Sequence, residues 1–551
     1  MAIKLLQRLE ELKGDRYNWE TNWQDIIDYT MPNRTSVTGE DSPGEERTEL
    51  IYDSTAVNAL IRLGANLNSM LTNQATDWFY LSMADDNLNK LPDVRQWLSA
   101  VERTIRIQLE MSNFYTEVHE MYLDLASIGT GVMYVEERHE AGKHINFSTR
   151  HIKEVYIAEN AYGEVDTLFR LFDMTKRQVV EKFAEDGNIT ATFKKDAKQN
   201  PDDFVEICHV VLPRADYKKG KTPLEDKPFA SVWIDTELEK VILDSGYNTF
   251  PYVVPRWLKS SGEKYGRSPA LNTLGDIKTL NAMMYTMLDT GNKVANPPIL
   301  VPDETLELVD LRPGGITYYD TRTGNKPEPM ILGANLPVTF DLLQEKRKAI
   351  LEAFFTNELS YIDKDRMTAE EVRARQNENA KILGPTFGRL QMEFIDKCIA
   401  RIIEILFNSV EDDGTPVLPE PPESIQGKDF RLRYVSPLAT SQKLNDIQKI
   451  NAGINNIGQM VQVKPDVLDR VNLDEAVEVL ARLYDLPEEM VRSDEEVMAI
   501  RQARAQQQAQ QIQVEQQNIA SESMKHASSA QKNTAAAELN RARAEKELTN
   551  E

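Results

Sequence analysis

At 551 residues, with 41% hydrophobic and 28% charged positions, the chain has room for two to four domains with their own cores and the composition of a soluble globular protein. Its formal charge of −24 excludes tight wrapping of nucleic acid by a basic surface, although it is compatible with a conduit past which DNA slides. Two cysteines, Cys208 and Cys398, imply no disulfide framework and fit a reducing compartment, and no apolar run approaches the length of a membrane span.

The opening segment, "MAIKLLQRLEELKGDRYNWE", has leucines at helical spacing and no signal-peptide core. Leu5, Leu9 and Leu12, then Trp19, Trp23, Ile26 and Ile27, share one face of a predicted helix. The Arg34–Glu46 loop has no hydrophobic period and is expected to be mobile. Asp53-Ser54-Thr55 offers caps for a second helix carrying Val57, Leu60, Ile61, Gly64, Leu67 and Leu71. A third is predicted over Pro92–Met111 and a fourth over Phe114–Ser127. After Gly129 and Gly131 the texture becomes β-like: "GVMYVEER", "HINFSTRH", "EVYIAEN", "FVEICHVVLPR", "ASVWIDTE" and "KVILDSGY" predict one small antiparallel sheet ending near Tyr252. This part reads as an α+β unit.

"SSGEKYGRSPALNTLGDIKTLN" (Ser260–Asn281) opens a mainly helical part. Its glycines suggest a phosphate loop, but that motif needs four residues between Gly and Gly-Lys-Ser/Thr. Gly262 and Gly266 have only three residues between them, and Arg267 stands in the lysine position. The residues fit a flexible bend at Gly262 and Gly266, a cap at Ser268 and Pro269 in the first turn of a helix. Leu271, Leu274, Ile277, Leu280, Met284 and Met287 form its stripe, and Pro297-Pro298 stop it by Asn296. A strand-and-turn insert, Ile299–Asn335, precedes a second helix from Pro337 to Phe355 with Phe340, Leu343, Ile350 and Phe354 on one side. The polar loop "TNELSYIDKDRM" leads to a capping box at Thr368-Ala369-Glu370-Glu371 and a long helix reaching Asn408, with a kink expected at Gly384-Pro385. Beyond the Pro-rich "TPVLPEPPES", short helices are expected over 441–500. The low-complexity tail, 501–551, is expected to be only partly helical when alone, and to want symmetric neighbours.

Signatures of catalysis are missing. The histidines (His119, His139, His144, His151, His209 and His526) form no HExxH and no zinc spacing with cysteine, and there is no GxSxG, GxGxxG or kinase signature. No catalytic, cofactor or metal residue is therefore expected. A cytosolic NTPase would rest on the degenerate glycine segment alone. An oligomeric scaffold without a nucleic-acid role would rest on the acidic charge and the helical tail.

Four stretches resemble the portal, or head-to-tail connector, proteins of short-tailed bacteriophages. They are "IYDSTAVNALIRLGANLNSMLTNQATDWFYL" (Ile51–Leu81), "ASIGTGVMYVEE" (Ala126–Glu137), "GEKYGRSPALNTLGDIKTLN" and "MTAEEVRARQNENAKILGPTFGRLQMEFI". The resemblance implies a mainly helical α+β chain of portal type, built of wing, stem, clip and crown in a ring, usually of twelve copies, at one capsid vertex. It assigns 1–265 to the wing, 266–298 and 336–355 to two stem helices, and 299–335 to the clip. The tunnel loop would span 356–367, and the kinked helix would return to the wing over 368–435. The crown would take 436–500, and 501–551 would be a helical barrel or a disordered tail. Lys364 and Arg366 in the tunnel loop and Lys346, Arg347 and Lys348 in the stem are the implied DNA-channel candidates, the stem cluster facing DNA or pairing with the next subunit. The implied partners are copies of the chain, double-stranded DNA in transit, terminase, tail adaptor or nozzle proteins, and major capsid, scaffolding or internal core proteins. No membrane and no cofactor is implied. The location would be the virion head-tail junction after assembly in the host cytoplasm.

Overall fold

The computed structural model describes residues 1–295 apart from 40–41, 43, 86, 141, 184–186 and 219–224. It then describes 299–300, 328–329, 336–356, 384–411, 414–427, 430–434, 447, 449–459, 472, 475–477, 479–480 and 494–548. The chain divides into two compact units, 1–440 and 441–551.

In the first unit, α1 (Ala2–Thr30) is one 29-residue helix that serves two cores. Leu9 and Leu12 pack on Tyr156, Phe169, Cys208 and Val232, while Trp23, Ile26 and Ile27 enter the main core. Between them the buried Arg16 bolts the helix down. Its guanidinium donates to the carbonyls of Ile152 and Val155 (both 2.7 Å) and lies 3.8 Å over the Tyr156 ring. The start of the loop that follows is tied to the helices: Gln24 Oε1 accepts from Val37 N (2.8 Å) and Ser36 Oγ (2.7 Å), and Arg34 pairs with Glu120 and Asp124. Side-chain acceptors substitute here for the missing hydrophobic period.

Helices α2 (Thr55–Leu71), α3 (Pro92–Met111) and α4 (Phe114–Ser127) bury Leu60, Leu63, Leu67, Val101, Ile105, Phe114 and Met121 in the main core. Each such side chain contributes about 1.5–3 kcal/mol by leaving water. Between α2 and α3, β1 (Phe79–Met83) has the alternating burial of a half-covered strand and pairs antiparallel with β12 (Phe430–Tyr434), Phe79 opposite Tyr434.

The β-like region forms two sheets where one was expected. β2 (Met133–Glu140), β3 (Lys143–Thr149) and β9 (Tyr252–Val253) make a three-stranded sheet with β2 in the middle. β4 (Val155–Glu159), β5 (Val165–Thr175), β6 (Phe204–Pro213), β7 (Phe229–Asp235) and β8 (Lys240–Tyr247) make a five-stranded antiparallel meander. Period-2 alternation splits its side chains: Cys208, Val210 and Val232 meet α1, while Val205, Ile207 and Trp233 meet Val179 and Phe183 of α5 (Lys176–Phe183). A further short helix, α6 (Ala191–Gln199), is capped by the Thr190 hydroxyl.

The helical part begins with α7 (Pro269–Ala295) and continues with α8 (Leu336–Ala353), which pack against each other. Of the insert between them, only the pairing of β10 (Ile299–Leu300) with β11 (Glu328–Pro329) is described. Leu343, Ile350 and Phe354 are buried as expected, but Phe340 is exposed, as are Tyr285 and Leu288 on α7. α9 (residues 384–408) is helical throughout its described length and carries a five-residue π-turn, Gln391–Ile395. Gly384 and Pro385 are its first described residues, and the kink expected there turns on residues outside the described part; within the described part the departure from α geometry is the π-turn. In the second unit the chain forms a 55-residue helix, Asp494–Leu548, with every described side chain beyond Ile500 exposed.

Candidate functional site: a glycine-packed junction and a helical hairpin

α4 ends at Ser127, and the chain turns into β2 through Gly129 at φ +91°. A Cβ on Gly129 would lie 2.6 Å from Gly266 O, and one on Gly266 would lie 2.1 Å from Gly129 O. Backbone therefore meets backbone, an approach only two glycines permit. Around this contact Trp257 N donates to Gly129 O (2.9 Å), Gly131 N to Pro255 O (3.0 Å) and Arg267 N to Leu258 O (2.7 Å). Gly266 N donates to Thr130 Oγ1 (2.8 Å). The Ser268 hydroxyl donates to Ser127 O and accepts from Leu271 N (2.9 Å), so one side chain ties the end of α4 to the start of α7 and caps it. Gly266 is thus wedged, a correction to the flexible bend expected there, whereas Gly262 has φ +81° and open space around it. The N–H groups of Gly266 and Arg267, which a phosphate would need, already donate within the chain.

Beside the glycines, Arg256 is 2% exposed and carries the densest set of charged contacts of the junction. Glu393, inside the π-turn of α9, accepts from its backbone N (2.9 Å), Nε (3.1 Å) and Nη2 (2.6 Å). Nη1 donates to Glu159 and to Lys264 O (3.2 Å), and Lys259 Nζ reaches the same Glu159 oxygen at 2.5 Å. Burial opposes the charge on Arg256, but Glu393 and then Glu159 outweigh it and hold its pKa above the usual arginine value. Two cations and two carboxylates balance, which a buried cluster requires.

The basic cluster on α8 divides into three environments. Lys346 Nζ pairs with Asp276 of α7 at 2.7 Å. Arg347 pairs at 2.8 Å with Asp53, whose side chain is 4% exposed, just before α2. Burial tends to raise the Asp53 carboxyl, but bonds from Thr55 and from Arg347 prevail and hold it below the usual carboxylate range. Asn281 completes the knot, its Oδ1 accepting from Tyr52 N (2.8 Å) and Asp53 N (2.9 Å). Lys348 is 73% exposed and reaches Glu352 at 3.7 Å. Of the cluster, some of which was expected to face DNA or pair with the next subunit, Lys346 and Arg347 thus have acidic partners within their own chain. Lys364 and Arg366 lie outside the described residues.

The sequence pattern of a family described as bacteriophage head to tail connecting protein matches residues 2–491. The chain belongs to that family. The connector is 30% identical over 519 residues to the portal protein of Salmonella phage epsilon15, covering 92% of this chain and 91% of that protein. It is 29% identical over 513 residues to a probable portal protein of Bordetella phage BPP-1, with the same coverages. To the portal protein of Escherichia phage T7 it is 22% identical over 410 residues, 70% of each chain. Its mixed helix-and-sheet fold is the α+β class expected from the residues.

Sequence reasoning missed Arg256, Glu393, Asp53 and Asn281 as junction residues of the connector. A signal existed for the first: "YVVPRWL" places one arginine in an otherwise apolar run, and a buried arginine must find carboxylates. No group of three or more candidate metal ligands occurs among the described residues, and none of the described helices is long and apolar enough to cross a membrane. The thiols of Cys208 and Cys398 are both buried, which pushes each up to about 12.

Arg347 and Lys348 of the basic triplet should separate cleanly in a stability experiment. Arg347→Met leaves Asp53 buried without its cation and is expected to cost about 3 kcal/mol. Lys348→Ala removes an exposed pair and is expected to change stability by less than about 0.5 kcal/mol. Thermal melting at one fixed protein concentration reads both; equal shifts would show that the Asp53 knot carries no special weight.

Proposed function

We propose that the connector assembles as a ring of twelve copies at one capsid vertex, through which the genome is packaged and later ejected. In this reading it is a portal-type chain of wing, stem, clip and crown and performs no catalysis. Terminase docks on it during packaging, tail adaptor or nozzle proteins dock afterwards, and major capsid and scaffolding or internal core proteins surround it. The observation that carries the reading is the family match over residues 2–491, together with near-complete coverage of two phage portal relatives.

The physical chemistry is compatible with DNA passage. Twelve copies at −24 each carry roughly −290, so duplex DNA in a central bore meets repulsion and a few evenly spaced cations. Extensive phosphate neutralisation would instead create deep wells and a steep salt dependence. The α7–α8 hairpin, anchored at the glycine junction, supplies the two stem helices, and 299–335 supplies the clip. Lys364, Arg366 and the exposed Lys348 are the residues assigned to the bore. The helix Asp494–Leu548 shows few apolar side chains for its length and gains partners when copies lie side by side about the ring axis.

Native mass measurement and particle imaging of the purified chain test the assembly. A large ring with a hole wide enough for duplex DNA is expected. A closed particle without a bore would favour a scaffold, and a monomer with ATP turnover would overturn the reading. Replacing Lys364 and Arg366 together by Ala is expected to leave ring formation intact while altering DNA packaging or retention in assembled particles. Unchanged packaging and retention would remove both residues from the bore.

A further inference from the structure

Arg256 and Trp257 are consecutive, and each grips one end of the stretch that runs from Phe355 to Glu393. Glu393 takes three N–H bonds from Arg256. The Phe355 ring lies 6.2 Å from that of Trp257, tilted by 37°. Both grips coincide with a backbone departure. Phe355 has φ +55°, a left-handed conformation that a bulky aromatic residue rarely adopts; among the described residues Glu239, in the turn between β7 and β8, is the other non-glycine case. Glu393 lies within the π-turn Gln391–Ile395, a single over-wide turn of the kind that interrupts α-helices at functional positions. Such conformations persist only where the surroundings over-determine them.

The dipeptide between the two grips is bonded to further groups as well. Trp257 is 2% exposed and its N–H is held by Gly129 O. The Arg256 guanidinium is also held by Glu159 and by the carbonyls of Gly163 and Lys264.

We propose that Arg256 and Trp257 form a shared anchor that couples the end of α8 to the register of α9, with Glu393 and Phe355 as the positioning residues on its two sides. In this arrangement the π-turn is kept because it aims Glu393 at Arg256. The left-handed turn at Phe355 is kept because it brings the ring to Trp257. Loss of one grip lets the shared dipeptide shift and loosens the other. The proposal does not depend on the connector's role in DNA passage, since it concerns only how the two helices hold their placement.

Amide hydrogen exchange, followed by mass spectrometry on the full-length assembled protein, tests the coupling. Glu393→Gln is expected to raise exchange at least fivefold at 391–395 and also at 354–356, at the far grip. Phe355→Gly removes the ring and accepts the positive φ without strain, and it is expected to raise exchange at 391–395 in return. Lys346→Ala, which breaks an ion pair of α8 away from the anchor, should leave both ends at native rates. A rise confined to the mutated end would mean two independent contacts and would overturn the proposal. An equal rise across the α2 core, 60–67, would mean general loosening and would overturn it as well. If Glu393→Gln does not assemble, Phe355→Gly alone decides between these outcomes.

Discussion

Alanine in place of Gly266 is expected to abolish the native fold of the first unit or to lower its melting temperature beyond ordinary core substitutions. The added Cβ would stand 2.1 Å from Gly129 O, 3.0 Å from Gly129 C and 3.1 Å from the Arg256 Cβ. A flexible side chain could move aside, but the two nearest are backbone atoms already committed elsewhere. Gly129 O accepts from Trp257 N, Thr130 accepts from Gly266 N, and Ser268 holds Ser127. Separation of the two strands of chain by an ångström would break those bonds and leave the buried Arg256 cluster mispaired. The expected cost exceeds about 4 kcal/mol, which places the substitution in the small class of severe effects. Gly262→Ala is the control. It meets no atom within 4 Å and suffers only its positive φ, at about 1 kcal/mol. Soluble yield and thermal melting at equal concentration read the pair. A Gly266→Ala protein melting within about 4 °C of the native chain would show that the close approach is not required.

The contrast between these two glycines also marks where the sequence was legible. Hydrophobic periodicity located α3 and α4 at the residues observed, and the Ser-Pro pair located the start of α7, because those signals are local. It did not locate β1, whose partner β12 lies some 350 residues away, or the division of the β region into two sheets. Long-range pairing leaves no mark in a window of ten residues. Nor could "GEKYGRS" reveal that one glycine sits in space and the other against a carbonyl, because a glycine's neighbour in the fold is absent from its neighbourhood in the chain. The basic triplet shows the same limit. "KRK" reads as a patch, yet Lys346 and Arg347 have acidic partners about 70 and 290 residues away, and only Lys348 keeps the exposure the pattern suggested. Family membership was legible for another reason: four motifs in the right order carry more information together than the physics of any one of them.

Acid is expected to destabilise the seam between the two sheets, and His209 is the group responsible. It is fully buried on β6, its ring stacked 3.9 Å from Trp233 at 12°, with Nδ1 2.8 Å from the Tyr252 hydroxyl and Nε2 3.0 Å from Ser231 Oγ. Tyr252 belongs to the three-stranded sheet and Ser231 to the five-stranded one, so this single imidazole bridges both. Burial pushes its pKa well below the ordinary value of 6.5, and Lys182, Arg170 and Arg150 add to the shift in the same direction. The sign follows directly. In the fold the ring stays neutral, whereas in the unfolded chain it takes a proton as pH falls through 6.5. Unfolding then binds the extra proton, and stability declines with falling pH by up to about 1.4 kcal/mol per pH unit. At pH 5 the loss from this group reaches about 2 kcal/mol, equivalent to about 2 °C in melting temperature for a unit of this size. Other titrating groups contribute to the raw profile, so the informative quantity is a difference. His209→Gln keeps a hydrogen-bonding side chain without the titration, and the native protein should lose about 2 °C more than this variant between pH 7.5 and pH 5. Parallel profiles would mean that the ring charges without penalty. That outcome requires a carboxylate or solvent to reach the buried ring.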